Sequence, residues 1–336
     1  MSTSVPPLPP LSIDRAAGQV LMIGYEEAPD AALDALAAGR AGGIILFSRN
    51  VASAGQVRSL TERCRTAFGG PVPIAIDQEG GRVARLAAAG LPAGPPARAV
   101  AALGPQAVYD WGRATGRFLR DLGLTIDFAP VLDVDTNPDN PIIGDRAYGR
   151  DPDSVIQMAR AAIRGLASAG IQPCGKHFPG HGDTLLDSHV DLPWVRHTEP
   201  RLEAVELAPF AALAAELPAI MTAHVVYPAW DAAVPATLSR RIVSGILRQQ
   251  LGFTGIIVSD DLEMAAVARL APAGELAVRS IEAGVDLLLC CKRQQVWEEA
   301  YDALRARAAT DAAFRARLLD AAERVRRIWC GHDPQR

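Results

Sequence analysis

The stretch Gln172-Pro173-Cys174-Gly175-Lys176-His177-Phe178-Pro179-Gly180-His181-Gly182-Asp183-Thr184 decides how this chain is read. It opens on a short strand candidate, 172–174, and runs directly into polar side chains able to do chemistry. Together with Asp187-Ser188-His189 it holds three of the 6 histidines, two acids and a lysine. Pro179, Gly180 and Gly182 predict a loop rather than a helix. Of the 34 Lys and Arg residues only Lys176 and Lys292 are lysine. A compact ammonium has been placed where the rest of the chain writes positive charge as planar guanidinium forks. The segment reads as a polar site built at the end of a strand.

The same arrangement recurs along the chain. Short apolar runs at 20–23, 43–47, 72–76, 125–128, 172–174, 219–222, 255–258 and 285–289 predict strands. Between them, stretches of helical period at 30–38, 54–67, 105–122, 152–169, 199–216, 239–251 and 273–283 predict helices, with two more at 294–308 and 311–329. Gly170, Gly252 and Gly284 stand where helix stop signals belong. Polar residues follow many of the strands: Asp77 closes the third, Asp133 follows the fourth, Lys176 and His177 the fifth, His224 the sixth and Asp260 the seventh. An open doubly wound sheet gathers its ligand groups at one switch point. In a closed (β/α)8 barrel all strand ends meet on one face. The expectation is therefore an α/β chain forming one TIM-barrel domain over 1–336, with 1–12 an irregular arm and 330–336 a frayed tail. The irregular stretch 130–149, with Pro138 and Pro141, reads as a βα loop, not a domain boundary.

Composition narrows the class. Hydrophobic residues make up 49% and charged residues 21% of 336, which suits a globular enzyme with a sizeable core. A formal charge of −4 gives no electrostatic reason to expect nucleic acid or an anionic membrane as partner. The 5 cysteines are odd in number, Cys290 and Cys291 are adjacent, and no CxxC occurs, so neither a zinc site nor a disulfide framework is indicated. The first residues lack the basic and apolar regions of a secretory signal, and no apolar run approaches the ~18 residues of a membrane span. A cytoplasmic protein is expected.

Five groupings carry candidate chemistry. Asp260, directly after Ile256-Ile257-Val258, would sit at a barrel mouth, where a carboxylate attacks an electrophilic carbon or stabilises a cation. The competing reading is a cap, Ser259 or one of the acids Asp260 and Asp261 closing a helix that starts near Leu262. Asp187, two residues before His189, would orient the imidazole for acid–base work, against a plain surface histidine. His177, His181, Asp183, His189 and His224 have the residue types of a metal site, but Lys176 is adjacent and Pro179-Gly180 keeps His177 and His181 off one helical face; no metal is expected. Asp77-Gln78-Glu79-Gly80-Gly81-Arg82 with Arg85 would accept and donate hydrogen bonds to a ligand, against an ordinary turn with charge pairing. Arg146 offers a fork to a polar ligand, against a solvated loop arginine. Trp111, Trp194, Trp230 and Trp297 are expected to be buried packing residues.

Taken in order, these segments resemble bacterial β-N-acetylhexosaminidases of glycoside hydrolase family 3, of the cytoplasmic peptidoglycan-recycling type. The resemblance rests on Ile76–Val83, Phe128-Ala129-Pro130-Val131-Leu132-Asp133-Val134, Ile143-Gly144-Asp145-Arg146, the run from Lys176 to Thr184, Asp187-Ser188-His189, Met221-Thr222-Ala223-His224 and Ser259-Asp260-Asp261-Leu262-Glu263-Met264. It implies retaining hydrolysis of terminal β-linked N-acetylglucosamine, without a cofactor, on muropeptide or chitin-type fragments. It implies Asp260 as nucleophile, His189 as general acid/base with Asp187 behind it, and Asp77, Arg85, Arg146, Lys176 and His177 as sugar-binding residues. Gln78 stands where many relatives have His, a difference expected to affect the pocket floor. Family-3 β-glucosidases commonly draw an acid/base from a second domain; a chain of this length is expected to lack one and to use His189, with Gly180 and Gly182 as hinges. The partner expected is a small carbohydrate, and the protein a monomer. A phosphorylase of the same family, a metal-dependent barrel hydrolase and a non-catalytic sugar-binding protein are the alternatives.

Overall fold

The apolar runs fold as eight short parallel strands: β1 (Leu21–Ile23), β2 (Gly43–Leu46), β3 (Ile74–Ile76), β4 (Ile126–Asp127), β5 (Gln172–Phe178), β6 (Ala219–Thr222), β7 (Ile256–Asp261) and β8 (Leu287–Cys290). Each pairs with the next, and β8 pairs back onto β1 with Leu21 opposite Leu288, closing the barrel. The computed structural model describes residues 10–185 and 192–330.

Alternation along the strands sorts their side chains into two layers. Met22, Ile45, Ala75, Ile126, Cys174, Ala219, Met221, Ile256, Val258, Leu287 and Leu289 fill the barrel, and Trp329 packs against this inner cluster. Leu21, Ile23, Ile44, Leu46, Ile74, Ile76, Ile220, Ile257 and Leu288 face outward into the layer shared with the helices. Strands buried on both faces require continuous apolar runs, which is why these segments read as such. Full burial of each large aliphatic side chain contributes about 1.5–3 kcal/mol before conformational entropy is set against it.

The helices around the barrel follow the expected pattern with instructive exceptions. Ser53 caps Ala54–Phe68 by accepting from Gln56 N, and Asp151 caps Pro152–Ser168 by accepting from Ser154 N. The expected helix 199–216 is broken into Glu199–Ala204, Ala208–Leu213 and a 3-10 turn at Ala214–Glu216. Pro209 is the cause: it has no N–H to continue a helix begun at 199 and instead starts a new one. The segment expected at 239–251 is a π-helix over Arg241–Gln250. Sequence periodicity gave no sign of Ile13–Gln19, a short helix capped by Ser12 immediately after the expected arm.

Two strands run three or four residues further than expected, and both changes bear on the site. β5 continues to Phe178, so Lys176 and His177 lie in the strand instead of following it, and the loop begins at Pro179. The ladder is extended by its neighbours: Leu132 N donates to Lys176 O (2.6 Å) and Ala223 N to Phe178 O (2.7 Å). β7 continues to Asp261, carried on by Leu262 N donating to Leu289 O (3.0 Å). Backbone partners across the barrel, absent from any local reading, decide both ends.

Candidate active site

The same alternation that fills the barrel aims the polar residues into its mouth. Asp77 is two residues on from inward Ala75, Lys176 two on from Cys174, Asp260 two on from Val258, Phe47 two on from Ile45 and Cys291 two on from Leu289. All of these line one cavity of about 170 Å³. Register shifts interrupt the alternation between Gly175 and Phe178 and between Val258 and Asp261, and His177 and Asp261 reach the same cavity beside their neighbours. The peptide bonds Lys176–His177, Phe178–Pro179 and Ala129–Pro130 are cis.

One wall is a buried ion network. Lys176 is 2% exposed, and its Nζ donates to Asp77 Oδ1 (2.6 Å) and lies 2.7 Å from Glu79 Oε1. Arg146 grips the same Glu79 with both arms of its fork, Nε to Oε2 and Nη2 to Oε1, each at 2.8 Å. Burial alone would raise the Glu79 carboxyl, but the adjacent Arg146 and Lys176 cations hold it well below the usual carboxylate range. Burial alone would lower Lys176, but Asp77 and Glu79 hold it above the ordinary lysine value. Both signs of charge are thus locked on at neutral pH. Arg146 is therefore neither a solvated loop residue nor an open fork: two arms hold Glu79 and Nη1 reaches Ile142 O (3.2 Å). The charge pairing weighed for the 77–85 turn is present, but it is buried and built around Lys176.

Behind this wall, Asp133 is fully buried and organises the two histidines of the motif. It accepts from the backbone of His177 (3.2 Å) and His181 (2.6 Å) and bonds His177 Nδ1 (2.7 Å). Burial would raise Asp133, and the two imidazoles outweigh it and lower it. With Nδ1 bound to Asp133, His177 has Nε2 as its other ring nitrogen in the cavity it lines. Burial, reinforced by His177, lowers His181 to about 4, so this ring is neutral at pH 7; its Nδ1 is 2.8 Å from Thr184 Oγ1. His224, expected near the same cluster, does not line the cavity: its Nε2 lies on Asp261 O (3.0 Å) and its Nδ1 on Thr237 Oγ1 (2.9 Å). Among the described residues no group of three His, Cys, Asp or Glu side chains is arranged to hold a metal ion.

The opposite side carries Asp260, whose Oδ1 accepts from Asp261 N (2.8 Å). Neither this acid nor Ser259 caps a helix. Ser259 Oγ accepts from Leu289 N, and the next helix begins only at Ala265 with no side-chain cap. Asp261 Oδ1 accepts from Glu263 N and Cys291 N, and burial raises its carboxyl to about 7. Arg85 lines the cavity; its Nε is buried without an acceptor among the described residues. Gln78 does not line the pocket floor: its Oε1 accepts from Arg85 N (2.8 Å) and so supports the arginine.

Asp77, Lys176, His177 and Asp260, expected on one face from the strands they end, line one cavity together with Arg85 and Arg146, whereas Asp133 and His224, expected on the same face, do not line it. Asp187 and His189 lie outside the described residues. Sequence reasoning did not single out Glu79 or Asp261 as site residues. Glu79 was findable as the residue two on from Asp77. Asp261 needed the β7 register shift, which no local pattern announces. Of the tryptophans, Trp230 and Trp297 are buried as expected, but Trp194 is 36% exposed with Arg196 stacked over its ring. It lies on the segment that pairs with Val226 rather than beneath a helix.

Residues 12–328 match the glycosyl hydrolase family 3 N-terminal domain. A β-hexosaminidase of Thiobacillus denitrificans is 42% identical over 266 residues, covering 77% of this chain and 73% of its own. The solved family 3 β-N-acetylglucosaminidase of Paenibacillus sp. superposes with a TM-score of 0.89 at 38% identity, over 95% of this chain; this chain spans 63% of that one. NagZ of Neisseria gonorrhoeae, solved with N-trifluoroacetyl-D-glucosamine, superposes with a TM-score of 0.75 at 32% identity, over 92% of this chain and 98% of its own. With the barrel closed, the charged mouth in place and relatives agreeing over most of its length, the chain belongs to glycosyl hydrolase family 3 and is a β-N-acetylhexosaminidase of that family.

Proposed function

We propose that the protein removes non-reducing terminal β-linked N-acetylglucosamine from muropeptide or chitin-type fragments, with net retention at the anomeric carbon. The observation that carries this reading is the placing of the Asp260 carboxylate in the same cavity as the Lys176–Asp77–Glu79–Arg146 network. A sugar ring held by hydroxyl hydrogen bonds against that network presents C1 to a carboxylate. In the first displacement Asp260 Oδ bonds to C1 as the glycosidic C1–O bond breaks, and His189, oriented by Asp187, gives its proton to the departing oxygen. In the second, His189 takes a proton from water, whose oxygen displaces Asp260 and restores the β configuration. The oxocarbenium-like transition state carries positive charge next to Asp260, which is where a carboxylate lowers its energy.

Sugar recognition falls to Asp77 and His177 Nε2 as acceptors and to Arg85, Arg146 and Lys176 as donors. Arg85 Nε, buried and lacking an acceptor among the described residues, favours a ligand oxygen at that point. The glucosamine derivative bound by the gonococcal relative supports the same choice of sugar. The motif resemblance favours a role in cytoplasmic turnover of peptidoglycan fragments. Proton NMR of the first-formed product tests the mechanism: β-N-acetylglucosamine is expected, and an α product refutes retention.

A further inference from the structure

Asp183 and His197 bracket the segment that carries His189, and they bond each other. His197 Nε2 donates to Asp183 Oδ2 (2.5 Å), while Asp183 Oδ1 accepts from Thr136 Oγ1 (2.9 Å). The two ends of the segment are otherwise hung from different parts of the barrel. The outgoing end is tied to the loop after β4: Asn137 Nδ2 donates to Thr184 O (3.3 Å) and Asn140 Nδ2 to His181 O (2.9 Å). The returning end is tied to the chain after β6: Val195 N donates to Val226 O (3.0 Å) and Val226 N to Pro193 O (2.9 Å). The two glycines expected as hinges are both closely packed here. A Cβ on Gly182 would lie 1.8 Å from Val134 O, and Tyr227 Oη donates to Gly180 O (2.6 Å). Asp183 follows directly on this packed run, and the imidazole of His197 joins the outgoing and returning ends through it.

We propose that the Asp183–His197 pair is a positioning device for the acid/base step, fixing the described chain on either side of the segment that contains Asp187 and His189 in sequence; this rests on the reading of His189 given above. The pair is partly exposed, with side-chain exposures of 22% and 34%, so its bond contributes little to global stability. Its effect falls on geometry instead, where a displacement of about 1 Å is felt as a large loss in rate.

The test compares a substrate with a poor leaving group, chitobiose, with 2,4-dinitrophenyl N-acetyl-β-glucosaminide, whose phenolate leaves without protonation. His197→Ala should lower kcat on chitobiose about tenfold and on the dinitrophenyl substrate about twofold or less, with KM and melting temperature unchanged. His197→Gln, which keeps a donor for Asp183, should recover most of the loss. In a His189→Ala background, His197→Ala should cause no further loss on chitobiose. Equal losses on both substrates, wild-type activity, or an additional loss in the His189→Ala background would overturn the proposal. If His197→Ala does not fold, Thr136→Val loosens Asp183 from its other partner and is read in the same way. His189→Ala alone keeps the two readings apart. If it loses equally on both substrates, the acid/base assignment fails and takes the positioning role with it. If it is selective while His197→Ala is not, only the positioning role fails.

Discussion

Lys176→Met tests whether the cavity wall is an ion network or a set of independent ligands. Methionine matches the stem of lysine but removes the charge that Asp77 and Glu79 share at 2.6 and 2.7 Å. Breaking a buried pair by deleting one partner costs about 3–5 kcal/mol, because the remaining charge is stranded. Glu79 keeps its bidentate hold on Arg146, so the stranded group is mainly Asp77, whose side chain is 15% exposed. That argues for the lower end, about 3 kcal/mol. At ~2.1 cal/mol/K per residue, a protein of this length unfolds with an entropy of roughly 0.7 kcal/mol/K, so the melting temperature should fall by about 4 °C. The double variant Asp77→Asn with Lys176→Met removes both charges and should melt higher than Lys176→Met alone. Calorimetry at pH 7 on wild type, both single variants and the double decides the matter. A Lys176→Met protein melting within about 1 °C of wild type, or a double variant no more stable than that single, would refute the network.

Asp260→Ala should lower kcat by about 10³-fold or more while the melting temperature holds; substantial residual turnover would remove Asp260 from its role. Asp261, raised by burial to about 7, favours the folded state only while protonated: its contribution is complete below its unfolded value near 3.9 and is lost as pH rises to about 7. Denaturant titrations across pH 4–7 should show stability declining, and Asp261→Asn should flatten that slope. Gly182→Ala should destabilise by about 1–3 kcal/mol or prevent folding, since the new methyl meets the Val134 backbone; an unaffected melting curve would contradict the packing described.

The barrel was legible because parallel strands buried on both faces leave continuous apolar runs, and because the acid, lysine and histidines that end them point to a common face. Asp77, Lys176 and Asp260 could be placed by counting in twos from Ala75, Cys174 and Val258. Strand ends were less legible. Nothing local to Lys176 or Asp260 says that Leu132 and Leu289 will extend the ladder past them. The hold of Arg146 on Glu79 was also hidden, because it depends on two segments 67 residues apart meeting in space. Ser259, Asp260 and Asp261 looked like candidate helix caps because short polar side chains satisfy backbone donors in turns and across strands as readily as at helix ends.

Gly182 also alters how the signature run itself should be understood. With the Val134 carbonyl where any side chain would begin, this position is closed to every larger residue whatever the enzyme acts upon. A library of single substitutions screened for turnover would mark it as essential, just as it would mark a residue that carries the reaction. The two losses would have different origins, one in reaction chemistry and the other in excluded volume. Only a readout of folding yield beside the activity screen would tell them apart.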